Sequence, residues 1–307
     1  MKVLISDRLH EEGIKIFQDS GFEVVKNFSI SHEDLIKEID NYDAIVIRSR
    51  TKLTADVLKN VNNLKVIGRA GVGLDNVNLK KAEELNIKIL NTPEAPSISV
   101  AELTIGLLLN LIRYISKADE TMHRGEWLKS NYMGNMLKGK KIGLIGFGNI
   151  GQAVAKRCFG FEMNIGIYDV DQNAKKKAQE LGYIVYHSVD ELIQDVQIVS
   201  LHIPATVETK NTIDERRLKL MNENTLIINT ARGNLIDEEA LIRALKNKKI
   251  GGAALDVYRE EPLRNEKLWK CEENLILTPH IGSQTEETQM LASVMIAKKI
   301  IKYFKDL

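Results

Sequence analysis

The sequence predicts two doubly wound, parallel α/β domains, and three observations carry that prediction. Short β-rich runs alternate with helix-like stretches along nearly the whole chain, an order that gives right-handed crossovers and parallel sheets. The alternation falls into two series, separated by a loop that Pro93 and Pro96 bracket. The length of 307 residues suits two domains of about 150 residues each.

In the first series, β-rich runs at 2–6, 23–25, 44–48, 65–69 and 88–90 alternate with helix-like stretches at 10–20, 31–40, 55–61 and 79–85. Ser31 followed by Asp34 reads as a helix N-cap pattern. Proline disfavours helix at the residue before it, so the Pro93–Pro96 loop is a boundary. Ser99-x-x-Glu102 then reads as a capping box opening one long apolar helix to about Met122. The second series has β-rich runs at 142–145, 164–168, 184–186, 196–201, 226–229, 252–255 and 275–277, with another capping box at Ser188-x-x-Glu191. The stretch 286–307 reads as a helix with no strand after it, which returns to the first domain. The expected domains are therefore 1–97 plus 285–307, and 98–284.

Composition excludes several functions. Lys plus Arg is 43 and Asp plus Glu is 42, a net charge of +1, which gives no electrostatic footprint for nucleic acid or an anionic membrane. Two cysteines, Cys158 and Cys271, make no disulfide framework and no zinc-ligand spacing, so no metal is expected. The N-terminus meets a charge too early for a secretory leader, and the apolar run 103–112 is too short to span a bilayer. A reducing, cytoplasmic setting is the expectation.

Gly146-Phe147-Gly148-Asn149-Ile150-Gly151 is G-x-G-x-x-G, placed after an apolar strand-like run and before a helical run, 152–157. The first glycine permits a tight turn, the second lets a pyrophosphate approach the backbone, and the third lets helix and strand pack closely. The helix N-terminus offers free N–H groups to the phosphates. Asp169 ends the next strand-like run and can accept hydrogen bonds from ribose hydroxyls. It would also repel a 2′-phosphate, and no Arg follows it, so NAD is favoured over NADP.

Ligands of open parallel sheets bind beyond the carboxyl ends of the strands. There stand Arg232, the carboxylates Asp256, Glu260 and Glu261, and His280. The set suits hydride transfer between an alcohol and a ketone. A histidine exchanges the proton, a carboxylate fixes its tautomer, and an arginine holds a substrate carboxylate. His202 is a rival histidine at another strand end.

With Asn229-Thr230-Ala231-Arg232-Gly233, Ala254-Leu255-Asp256-Val257, Glu260-Glu261-Pro262 and Thr278-Pro279-His280-Ile281-Gly282 beside the glycine motif, the chain resembles the D-isomer-specific 2-hydroxyacid dehydrogenases over essentially its whole length. The resemblance implies a Rossmann NAD-binding domain and a smaller flavodoxin-like substrate domain. It implies Arg232, Glu261 and His280 as the catalytic set; Glu261 is chosen over Glu260 because it precedes the proline. It implies cofactor contacts at Gly146, Gly148, Asn149, Ile150, Gly151, Asp169, His202, Pro204, Thr230, Ala231, Asp256 and Gly282, with Asp256 meeting the nicotinamide amide.

Within the family, Ile47-Arg48-Ser49-Arg50-Thr51, the segment Gly68-Arg69-Ala70-Gly71-Val72-Gly73-Leu74-Asp75-Asn76-Val77, and Tyr132-Met133-Gly134 before Leu137-Lys138-Gly139-Lys140 resemble the branch acting on a phosphorylated 2-hydroxy acid. Arg48 and Arg69 would bind the phosphate, beside Ser49. Ala70, Gly71, Val72 and Gly73 would offer backbone N–H groups to the substrate carboxylate. Arg50 and Asn91 are open cases. That branch often carries a further C-terminal domain that binds serine; the sequence stops soon after the last helix, so feedback through it is not expected. A homodimer through the helix near Ser99 is expected, as is hinged closure of the two domains. The rival readings are a glyoxylate or hydroxypyruvate reductase, which needs no phosphate pocket, and an NAD-sensing corepressor. A formate dehydrogenase is disfavoured because Glu261 stands where that relative has glutamine.

Overall fold

A computed structural model describes residues 1–306, in two compact units: Met1–Pro96 with Ser283–Leu307, and Ser97–Gly282. Unit 1 runs β1 (Lys2–Ile5), α1 (Glu11–Asp19), β2 (Glu23–Lys26), α2 (His32–Glu38), β3 (Ala44–Ile47), α3 (Ala55–Leu58), β4 (Val66–Arg69), α4 (Leu79–Glu84) and β5 (Lys88–Asn91). The strands pair in parallel in the order β2-β1-β3-β4-β5. β3 is an unbroken apolar run because both faces of the sheet are covered. On one face Leu35, Ile39, Val57 and Leu58 pack against Ile45 and Ile67. Ser31 caps α2 as expected, its Oγ accepting the Asp34 N–H at 3.0 Å.

Unit 2 begins with α5 (Ser97–Arg113) and α6 (Ile115–His123). It continues β6 (Lys141–Ile145), α7 (Asn149–Gly160), β7 (Asn164–Tyr168), α8 (Gln172–Glu180), β8 (Ile184–Val185), α9 (Val189–Asp195) and β9 (Ile198–Leu201). It closes with α10 (Glu215–Leu220), β10 (Leu226–Asn229), α11 (Glu238–Lys246), β11 (Gly252–Leu255), α12 (Glu266–Trp269) and β12 (Leu275–Leu277). The parallel order is β12-β11-β10-β9-β6-β7-β8. The chain first winds from β6 out to β8, then returns to β9 on the other side, so the β6–β9 boundary is the topological switch point of a Rossmann sheet. Ser188 caps α9 through the Glu191 N–H at 3.1 Å, and Glu191 returns a carboxylate to the His187 N–H at 2.8 Å.

The last helix, α13 (Glu286–Lys305), belongs to unit 1. It covers the second face of that sheet with Ala292, Ile296, Ala297, Ile300 and Ile301, against Val3, Ile5, Ile14, Phe17, Val46 and Val66. Gly13 and Gly68 make the approach possible. A Cβ on Gly13 would stand 2.5 Å from the Ser293 carbonyl oxygen, and one on Gly68 would meet Ile300.

Two helix boundaries differ from expectation. The long helix is not continuous to Met122: it breaks at Tyr114, which is left-handed at φ 56°, and α5 and α6 diverge by 66°. Asn110 supports the break by accepting the Ser116 N–H at 2.8 Å in the first turn of α6. The helix also starts at Ser97 instead of after Ser99, directly behind Pro96, which disfavours helix at Ala95 and so bars an earlier start. Ser99 is thus buried inside the first turn and does not mark the helix start. No single helix among the described residues is long and apolar enough to cross a membrane.

The α9–α10 pair carries a pH signature. Asp190 accepts from Arg216 at 2.6 and 3.0 Å and from Arg217 at 2.7 Å. These hydrogen bonds and charges, outweighing burial, hold its carboxyl down at about 2. A depressed carboxylate contributes stability that is full above its unfolded pKa and is lost as pH falls through the folded one. Between about pH 4 and pH 2, Tm of the native chain should therefore fall more steeply than Tm of Asp190→Asn. Parallel melting curves would show that Asp190 makes no such contribution.

Candidate active site

The glycine motif folds as its spacing demands. Gly146 is left-handed at φ 102°, and a Cβ there would sit 2.5 Å from the His202 carbonyl oxygen. A Cβ on Gly151 would run into the Gly146 carbonyl, so the missing side chain lets α7 pass against the β6 turn. Gly148 is the N-cap of α7, so the helix starts at Asn149, ahead of the expected Gln152, with Ile150 and Gly151 in its first turn. A Cβ on Gly148 would meet nothing within 4 Å, which leaves an open cradle before free helical N–H groups. Asp169, at the end of β7, turns its carboxylate to this loop and accepts the Phe147 N–H at 2.6 Å and the Asp171 N–H at 2.9 Å. These residues fit a dinucleotide: an open turn for the pyrophosphate, and a carboxylate with remaining lone pairs for a ribose.

His202, at the end of β9, sits under this loop. Its Nε2 lies 2.9 Å from Ser200 Oγ, and its Nδ1 is buried with no hydrogen-bond partner. Burial pushes the imidazole down to about 3, so the ring is neutral. Pro204 follows in the same segment, its carbonyl accepting the Thr209 hydroxyl at 2.7 Å.

On the other side of the switch point, the segments after β10, β11 and β12 carry Arg232, Glu261 and His280. His280 Nδ1 lies 2.7 Å from Glu261 Oε2, and Glu261 Oε1 accepts the Tyr258 N–H at 3.1 Å. Glu260, the open alternative, turns away to Arg264 at 3.4 Å. Burial pushes the Glu261 carboxyl up, but the hydrogen bond and charge of His280, the Tyr258 N–H and the charge of Arg232 outweigh it and hold it below the ordinary carboxylate value. An ionised carboxylate can only accept, so Nδ1 of His280 carries the proton and Nε2 is left as a nitrogen able to accept one. His280 is itself left-handed at φ 53°, a conformation uncommon outside glycine.

Three supporting residues were not assigned site roles by sequence. Asn229 closes the Thr230–Arg232 turn, accepting the Ala231 N–H at 3.1 Å and donating to the Arg232 carbonyl at 2.8 Å. An Asn at a strand end before Ala-Arg-Gly is an Asx-turn signal that could have revealed it. Tyr258 donates to the Thr278 carbonyl at 2.8 Å, tying the Glu261 loop to the His280 loop. Thr104 of α5 donates to the Val100 carbonyl at 2.8 Å and lies 3.0 Å from Thr230 Oγ1, so Thr230 is the donor to it. Gly233 lets the two turns meet: a Cβ there would fall on the Tyr258 backbone. Asp256 is 1% exposed and accepts from Thr278 Oγ1 at 2.6 Å and from the Ile281 and Gly282 N–H groups at 2.8 Å each. Its carboxylate thus shapes the His280 loop directly.

The rim of unit 1 is described by itself. Arg48 and Ser49 follow β3, and Arg69 ends β4. The Arg69 guanidinium folds over Gly71, φ 146°, where any side chain would collide with it. Arg48 is half-buried, and burial lowers its pKa against the opposing charge of Asp7. Arg50 is committed elsewhere: its Nε donates to Asp7 at 3.0 Å and another arm reaches the Ser6 carbonyl. Asn91 donates to the Val72 carbonyl at 2.8 Å, so it braces the Ala70–Gly73 turn.

Comparison with known proteins agrees with this geometry. The family profile described as D-isomer specific 2-hydroxyacid dehydrogenase, NAD binding domain, matches residues 105–282. The chain is 44% identical over 305 residues to D-3-phosphoglycerate dehydrogenase of Methanocaldococcus jannaschii, covering 99% of this chain and 58% of that protein. It is 40% identical over 304 residues to hydroxypyruvate reductase of Thermotoga maritima, covering 98% and 97%. The solved structure of the TT0316 protein from Thermus thermophilus superposes with a TM-score of 0.90 at 31% identity, covering 100% and 97%.

Proposed function

The chain belongs to the D-isomer-specific 2-hydroxyacid dehydrogenase family, and on that premise we propose that it interconverts D-3-phosphoglycerate and 3-phosphohydroxypyruvate with NAD, a step toward serine. The observation that carries the chemistry is the 2.7 Å His280–Glu261 pair beside Arg232 on one rim. NAD, when bound over the glycine loop, supplies the hydride acceptor. Arg232 holds the substrate carboxylate and polarises the neighbouring carbonyl. His280 Nε2 takes the hydroxyl proton as the alcohol is oxidised and returns it to the carbonyl oxygen in reduction. Glu261, ionised, accepts from Nδ1 throughout and stabilises the imidazolium that results.

Arg48 and Arg69 support the phosphorylated substrate. Each is a fixed cation, while the neighbouring buried carboxylate, Asp7, is neutralised by Arg50. The exposed apolar side chains of Ile115, Met122, Trp127, Met133 and Met136 support assembly as a homodimer through the α5–α6 region. Cys158 and Cys271 are free thiols, in keeping with a cytoplasmic setting.

The first test is NADH oxidation with 3-phosphohydroxypyruvate, run beside hydroxypyruvate and glyoxylate. A strong preference in kcat/KM for the phosphorylated acid is expected. Equal or better rates with the others would make the chain a general reductase. Arg69→Ala should raise KM for the phosphorylated acid roughly ten- to hundredfold, the loss of one charge-assisted contact, with far less effect on hydroxypyruvate. Equal effects on both would show that Arg69 does not read the phosphate.

A further inference from the structure

The Arg48–Thr51 turn has no sheet or helix partners, yet both its ends are held. Asp7 follows β1, next to β3 in the sheet, and is 4% exposed. Its Oδ2 accepts the N–H groups of Arg48 at 2.6 Å and of Thr51 at 3.2 Å. Its Oδ1 accepts the Thr51 hydroxyl at 2.7 Å and Arg50 Nε at 3.0 Å. From the opposite side Asn76 Nδ2 donates to the carbonyls of Arg48 at 2.7 Å and of Thr51 at 2.6 Å. One carboxylate thus grips the donors of the turn, and one amide grips its acceptors.

We propose that Asp7 and Asn76 are positioning residues that set selectivity for the phosphorylated acid by fixing the backbone from which Arg48 projects, with Arg50 serving as the counter-ion of Asp7. The inference rests on the reading that Arg48 meets the substrate phosphate. A long cation binds a dianion best when its anchoring backbone is ordered before the ligand arrives. Asp7 alone would work against that binding, since a bare carboxylate near the turn repels phosphate. Arg50 pairs with that carboxylate at 3.0 Å and offsets its charge, so that the positive charge of Arg48 remains for an anion. The Arg8 carbonyl accepts from Arg48 at 3.4 Å, which places the two arginine-bearing strand ends side by side.

The test uses the full chain with Asp7→Ala, Asp7→Asn, Asn76→Ala and Arg48→Ala. It reads KM and kcat for 3-phosphohydroxypyruvate and hydroxypyruvate, NADH binding and thermal melting. Asp7→Ala and Asn76→Ala should each raise KM for the phosphorylated acid at least about tenfold, with kcat little changed and hydroxypyruvate KM moving far less. Asp7→Asn keeps a carbonyl oxygen for both N–H groups, although its amide nitrogen cannot accept from Arg50, and should restore part of the selectivity lost in Asp7→Ala. If Arg48→Ala leaves selectivity intact, the phosphate reading itself fails. If Arg48→Ala abolishes selectivity while folded Asn76→Ala and Asp7→Ala retain it, the positioning role is overturned. A matched rise in KM for both acids would overturn it as well, since that is what a general loss of structure produces. Should Asp7→Ala fail to fold, Asn76→Ala, which removes no charge, decides between these outcomes.

Discussion

His280→Ala should lower kcat by about 10²- to 10⁴-fold in either direction, the usual contribution of a general acid or base. NADH binding should be left intact, because the nucleotide loop and Asp169 lie on the other side of the switch point. The left-handed backbone at position 280 complicates alanine, which tolerates φ 53° poorly. His280→Asn is the better-matched variant, since asparagine visits that region readily. Both variants should lose turnover to a similar degree. Retained turnover in the asparagine variant would mean that strain, and not proton exchange, is what the alanine variant measures. Glu261→Gln should lose less, because a glutamine carbonyl can still accept from Nδ1, although it no longer stabilises the imidazolium.

Gly233→Ala should be nearly as damaging through a different route. Its new methyl group would occupy the space of the Tyr258 backbone, which has no flexible side chain end to move aside. Overpacking of this kind costs about 1–3 kcal/mol, visible as a drop in Tm. The same displacement separates the turn bearing Arg232 from the loop bearing Glu261. A shift of about 1 Å there is expected to cost on the order of 10²-fold in kcat/KM. Calorimetry and steady-state kinetics on one preparation would check both. An unchanged Tm with native activity would show that the two loops are not interlocked at Gly233.

The strands and their parallel pairing were legible because β-rich runs carry their own local pattern and parallel crossovers allow few arrangements. The glycine loop was legible for the same reason: its constraint is written in consecutive residues. Tyr114 was not, because nothing in its type announces a left-handed residue; the break depends on Asn110 reaching Ser116. Ser99 misled because a capping box describes a helix start that Pro96 had already set two residues earlier. The choice between Glu260 and Glu261 could not be made from residue type, and depended on family resemblance until the structure paired one with His280 and the other with Arg264. The roles of Asp7, Asn76 and Tyr258 escaped, although Asn76 stands inside a recognised motif, because their partners lie far along the chain, 41 residues away for the Asp7–Arg48 contact. A single polar residue beside a strand looks the same whether it is solvated or holds a distant turn.

The passage of α13 back onto the first sheet also sets a schedule for synthesis. Residues 1–96 leave the ribosome with one face of their sheet covered only by α1, since Ile296, Ile300 and Ile301 have yet to be made. At about 5–20 residues per second, roughly ten to forty seconds pass while unit 2 is translated. Unit 2, uninterrupted in sequence, can complete its own core within that interval. The N-terminal segment meanwhile leaves part of the apolar face around Val46 and Val66 without its α13 cover. That window is when the nascent chain most needs a chaperone, and it ends with the arrival of a single helix.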